Sequence, residues 1–93
     1  MPLFTVIANY GGGTYISQVS GKSQVAALQR WSRSRNVLEI QGVGKSSQAK
    51  IVSAAHDPED GPVQLTGLDN IWCFTALIRD KGLLINLVQT DPS

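Results

Sequence analysis

Apolar positions along the chain change their spacing from one stretch to the next, and the spacing predicts the elements. Residues 3–10, LFTVIANY, and 14–19, TYISQV, are rich in β-branched and aromatic side chains with only glycines between them. Two such runs around a glycine gap predict a β-hairpin. Glycine accepts the positive φ that tight hairpin turns demand. Register then selects the turn. With Gly11 and Gly12 as a two-residue turn, Ala8 lies opposite Tyr15 and Phe4 opposite Val19. Phe4, Val6, Ala8, Tyr10, Tyr15 and Val19 then share one face, whereas a three-glycine loop would pair Tyr10 with Thr14 and scatter them.

Helical spacing follows. In residues 23–35, SQVAALQRWSRSR, Val25, Leu28 and Trp31 recur on one stripe with Ala27 between them, and Ser23 is a natural N-cap. Arg30, Arg33 and Arg35 fall in the last turns, where cations suit the helix dipole. Residues 37–43 read as a short extended piece or a helix-to-helix connection. Residues 46–55, SSQAKIVSAA, form either a second helix, capped by Ser46 or Ser47 with Ile51, Val52 and Ala55 inward, or a strand through 49–53. Pro58 would stop the helix. Residues 56–70, with two prolines, two glycines and an acidic cluster, read as a loop.

The last third returns to strand patterning. IWCFTALI at 71–78 and LLINLV at 83–88 flank Arg79-Asp80-Lys81-Gly82, which suits a type I turn with a glycine bulge. Placing Ile78 opposite Leu83 gives Trp72, Phe74, Ala76, Ile78, Leu83, Ile85 and Leu87 one apolar face. The other face still carries Ile71, Cys73, Leu77, Leu84 and Val88. A hairpin apolar on both sides is central in its sheet or covered on both sides. The predicted fold is therefore α+β: an antiparallel sheet of two β-hairpins with one or two helices packed on one face, in the order β-β-α-α-β-β. Helices on one face leave the other apolar face uncovered, so a second chain is expected to cover it, most simply in a two-fold homodimer.

Size and composition sharpen this picture. The chain has 93 residues, 42% of them apolar and 16% charged. One domain, residues 1–93, is expected, burying roughly 60–70% of the surface its unfolded form would expose. The low charge content fits a surface partly occluded by a partner. Net charge is +1, but residues 1–38 hold Lys22, Arg30, Arg33 and Arg35 and no acid, while the acids all lie beyond them. No signal-peptide pattern or membrane-length apolar run is read in the sequence, so a cytoplasmic, bacterial-type protein with no membrane association is expected.

Candidate chemistry is sparse. Phosphate-binding glycine loops lead from a strand into a helix, but Gly11-Gly12-Gly13 lead into a strand, which favours a turn. Gly42-Val43-Gly44-Lys45-Ser46-Ser47 ends like a P-loop, yet Glu39 stands where its first glycine belongs, leaving at most an anion site at a helix start. His56, Asp57, Glu59 and Asp60 lack the regular acid alternation of a calcium loop, and one histidine makes no usual zinc centre. Cys73, the only cysteine, forms no internal disulfide; between Trp72 and Phe74 it reads as a small buried packing group rather than a nucleophile for His56. Trp31 and Trp72 read as core. No catalytic residue, metal or cofactor is assigned. Lys22, Arg30, Arg33 and Arg35 are the candidate binding residues, for a protein or for nucleic-acid phosphates.

The stretches GGGTYISQV and NIWCFTALI, with LLINLV after the last turn, resemble a small family of uncharacterised bacterial proteins. That likeness implies no activity and transfers no catalytic residue. In size and general build the chain is also similar to immunity proteins that block bacterial toxins. The expected function is a non-enzymatic protein-binding domain, an immunity-type inhibitor or a small homodimer. The alternatives are a nucleic-acid-binding module built on the Arg30–Arg35 helix and, last, a small enzyme.

Overall fold

The computed structural model of the chain describes residues 2–57, 61–64 and 69–91. The fold is α+β. Strands β1 (Leu3–Tyr10) and β2 (Gly13–Ser20) come first, then helices α1 (Gln24–Ser32), α2 (Arg35–Leu38) and α3 (Lys45–His56). Strands β3 (Val63–Gln64), β4 (Ile71–Ile78) and β5 (Lys81–Asp91) complete the described elements. They build one five-stranded sheet in the order β2-β1-β5-β4-β3, with every neighbouring pair antiparallel. Each of the two long hairpins is formed locally, and their joining strands, β1 and β5, lie side by side within the sheet, Leu3 opposite Asp91.

Both hairpins close with the same turn. Tyr10 pairs with Gly13 across Gly11 and Gly12, whose φ values are 58° and 84°. Ala8 opposite Tyr15 and Phe4 opposite Val19 is the register expected for a two-residue turn. Two consecutive positive φ angles define a type I′ turn, whose twist matches that of the strands. The second hairpin departs from expectation. Ile78 pairs with Lys81, and Leu83 faces Ala76 rather than Ile78. No glycine bulge forms; Arg79 and Asp80 themselves take positive φ values of 52° and 63°. Local chemistry assigns the left-handed position to Gly82 instead, because non-glycine residues are sterically disfavoured there. The slip is two residues, and since side chains alternate with period two the apolar face survives intact.

That face is the core. Phe4, Val6, Ala8, Tyr10, Phe74, Ile78, Leu83, Ile85 and Leu87 are buried beneath Ala27, Leu28 and Trp31 of α1, Val37 of α2, Ile40, Val43, and Ile51 and Ala55 of α3. Burying one large side chain such as Leu28 or Ile51 contributes about 1.5–3 kcal/mol. Trp72 packs at the margin, its ring centroid 5.9 Å from that of Phe4. Ser23 caps α1 as expected, its Oγ accepting from the Ala26 N–H at 3.2 Å.

Details of the helices differ from the expected pattern. Val25 lies at the rim and is 41% exposed, while Ser32 is buried in its stead. Ser32 Oγ donates to Gln29 O at 2.6 Å, and Ser34 Oγ donates to Trp31 O, which draws the chain out of α1. Residues 37–43 are the helix-to-helix connection and not an extended piece: they hold the end of α2 and the link to α3. Residues 46–55 belong to a helix, not a strand, and its N-cap is Gly44 rather than Ser46 or Ser47; Ser47 is buried. Gln48 Nε2 then reaches back to the carbonyls of Ser32 and Ser34, both at 3.0 Å, and ties α3 to the α1–α2 corner. The stretch expected as loop contains β3, two residues that pair with Trp72 and Cys73. Among the described residues no helix is long and apolar enough to cross a membrane.

Candidate functional site

All three helices lie against the face that carries Phe4, Phe74 and Leu83, so no described element covers the opposite face of the sheet. Strand alternation dictates its membership. One row crosses all five strands: Ile16, Ile7, Asn86, Cys73 and Val63 stand directly opposite one another. The row Thr14, Asn9, Leu84 and Thr75 flanks it on one side, and Gln18, Thr5, Val88 and Ile71 on the other. Leu77 stands beyond Thr75 on β4. Every described side chain on this face is uncharged.

The apolar part of the face is wet. Ile16 is 68% exposed, Leu77 69% and Val63 65%. The polar part is largely self-satisfied. Thr14 Oγ1 donates to Asn9 Oδ1 at 2.7 Å. Gln18 Nε2 donates to Thr5 Oγ1, Thr5 Oγ1 to Thr90 Oγ1, and Thr90 Oγ1 to the Leu3 carbonyl, at 3.2, 3.2 and 3.3 Å. Polar groups already paired along the sheet lose little when water leaves, and among the described side chains no ion must be desolvated. Such a surface accepts a dry partner at low cost.

Cys73 sits in the middle of this face and is half-buried, not enclosed in the core as its flanking aromatics suggested. Trp72 and Phe74 point to the helices, so the residue between them points away. His56, at the end of α3 on the helical side, is thereby separated from Cys73 by the sheet. Its ring is engaged elsewhere. Arg33 Nη1 lies 3.0 Å from Nε2, and the Val52 carbonyl lies 2.8 Å from Nδ1. A guanidinium only donates and a carbonyl only accepts, so Nδ1 carries the proton and Nε2 accepts. Of the acidic residues read with His56, Glu59 and Asp60 lie outside the described residues, and Asp57 is exposed.

The four basic candidates are all exposed but do not form one patch. Arg30, Arg33 and Arg35 gather where α1 ends, with Arg33 turned to His56. Lys22 precedes the other end of α1, about 12 Å away along its axis. The Gly44-Lys45-Ser46 stretch does open a helix, but it follows α2 instead of a strand, and Ser47 faces the core, so the P-loop context is absent there. The signal for the open face was present in the sequence as the second apolar set of the last hairpin. Its lack of charge becomes visible only once β1 and β2 are placed beside β5.

No family model matches the chain, and neither does any curated protein or solved structure.

Proposed function

We propose that this chain is a protein-binding domain whose partner docks on the uncovered sheet face, and that the partner is a second copy of the chain. The observation that carries the reading is a five-stranded face with three strongly exposed aliphatic side chains and no described charge. A nucleic acid needs cations to meet it, and a strongly charged protein needs complementary charges; the described side chains of this face offer neither. An identical neutral face is complementary to it under a two-fold axis. Four strands of about eight residues span a face of about 500 Å², so two copies would bury about 1,000 Å², near the lower limit for a specific interface. That area suits a micromolar rather than a permanent dimer. A bacterial cytoplasm, where a lone thiol stays reduced, suits Cys73 at such an interface.

Cys73 reports on the reading directly. Its alkylation by a small maleimide is expected to slow as protein concentration rises through the dimerisation range, because the covering face excludes the reagent. A rate independent of protein concentration would count against the homodimer. It would leave the face to a different protein, the situation of an immunity-type inhibitor. A second reading, nucleic-acid binding through the helical layer, rests on Arg30, Arg33, Arg35, Lys45 and Lys50 facing only Glu39 among the acids of residues 24–56. Affinity for duplex or single-stranded nucleic acid that falls steeply with salt would favour it.

A further inference from the structure

Both type I′ turns lie at the same end of the sheet, beside the loop between α2 and α3, and together they enclose a cleft of about 510 Å³. It lies on the helical side, away from the neutral face. Tyr10 and Tyr15 form its floor. Tyr10 is buried, and its hydroxyl donates to the Ile78 carbonyl at 3.0 Å. The Tyr15 hydroxyl accepts the Gln41 N–H at 3.2 Å, and among the described residues no acceptor takes its own proton. The Tyr15 ring lies close over Gly13, where a Cβ would come 2.9 Å from the hydroxyl, while Gly42 beside Tyr10 is called for by its φ of 93°. Gly11 and Gly12 leave one wall as bare backbone, where an added Cβ would meet no atom within 4 Å.

Arg79 and Lys81 also line the cleft, and among the described residues no carboxylate does. Asp80, at the tip of their turn, is exposed, and neither cation has an ion-pair partner among the described residues. Arg79 and Asp80 hold the left-handed conformation that the first hairpin gives to glycines. Backbone strain of this kind is concentrated at functional sites.

We propose that this cleft binds a small phosphorylated molecule. Arg79, Lys81 and the free proton of Tyr15 supply donors to one cleft, in number equal to the three terminal oxygens of a phosphate monoester. The volume exceeds that of a bare phosphate and lies in the range of about 300–1,000 Å³ usual for small-molecule sites, so the organic part has room above the tyrosine rings.

The test is an amide-resonance titration of the whole chain with inorganic phosphate and, separately, phenyl phosphate, against sodium chloride at matched ionic strength. Saturable shifts are expected at residues 11–13, 41–42 and 79–82, with phenyl phosphate binding more tightly than phosphate. Arg79→Gln with Lys81→Gln is expected to weaken both by about tenfold or more. Tyr15→Phe, which keeps the ring, is expected to weaken them less, and Arg30→Gln not at all. Should the double variant fail to fold, Lys81→Gln alone carries the same test. Shifts no larger than those from chloride, shifts centred on the Arg30–Arg35 corner, or unchanged affinity in the Lys81 variant would overturn the assignment.

Discussion

Replacing Gly21 with alanine is expected to damage this protein far more than the same change at Gly44 or Gly82. Gly21 joins β2 to α1, is buried, and donates its N–H to the Pro2 carbonyl at 3.1 Å. A Cβ there would lie 2.6 Å from Ala27 N, 2.8 Å from Ala27 Cα and 2.9 Å from Ala27 Cβ. No rotamer change relieves contacts with helix backbone, so α1 itself would have to withdraw. Leu28 and Trp31, both nearly inaccessible, hold it down, and Trp31 Nε1 donates to Ser17 Oγ at 3.2 Å. Overpacking of this kind costs about 1–3 kcal/mol, and the upper end is expected because backbone must move. For a domain this small, a loss of about 2–3 kcal/mol lowers Tm by about 10–20 °C. Gly82→Ala is the control: its Cβ would meet nothing within 4 Å and its φ is not positive, so Tm should hold or rise slightly. Thermal unfolding followed by circular dichroism decides. A Gly21→Ala protein melting within a few degrees of the parent, or a Gly82→Ala protein melting equally early, would refute the steric argument.

Gly12→Val is expected to cost about 1–3 kcal/mol through strain at φ 84° alone, since its surroundings are open; urea unfolding with an unchanged m-value checks it. Tyr10→Phe removes the buried bond to the Ile78 carbonyl and is expected to cost about 1 kcal/mol by the same assay. Leu77→Lys, at a well-wetted position of the uncovered face, is expected to leave the stability of the isolated chain within about 0.5 kcal/mol of the parent. A large loss there, measured where the chain is monomeric, would mean that Leu77 is packed within its own chain.

The sequence carried the sheet well because each strand announces itself twice, by residue type and by alternation. Phe4, Val6, Ala8 and Tyr10 form an unbroken inward set, and the glycines left a single register that kept it together. The second turn was illegible because Arg79 and Asp80 adopt a conformation that local chemistry disfavours, while an available glycine stands two residues on. Alternation placed Cys73 on the right face, but its aromatic neighbours suggested burial, and with no described element covering that face it is only half-buried. The short β3 carries only two paired residues, Val63 and Gln64, too few to leave a pattern between the prolines and glycines around them. Lys22 was grouped with the three arginines by charge alone, although the N-cap at Ser23 already sets it at the other end of α1. Neither the neutral face nor the cleft between the turns is a local feature of the sequence. Each is assembled from segments as distant as Tyr15 and Lys81.

Sedimentation velocity from about 1 µM to about 200 µM tests the neutral face most directly, on the parent chain and on a variant carrying Ile16→Lys and Leu77→Lys. The parent is expected to pass from a 10.0 kDa monomer to a dimer across this range, and the variant, with two like charges set into the face, to remain monomeric throughout. A parent that stays a single 10.0 kDa species at the highest concentration, or a variant that dimerises as readily as the parent, would contradict the assignment of that face to a second copy.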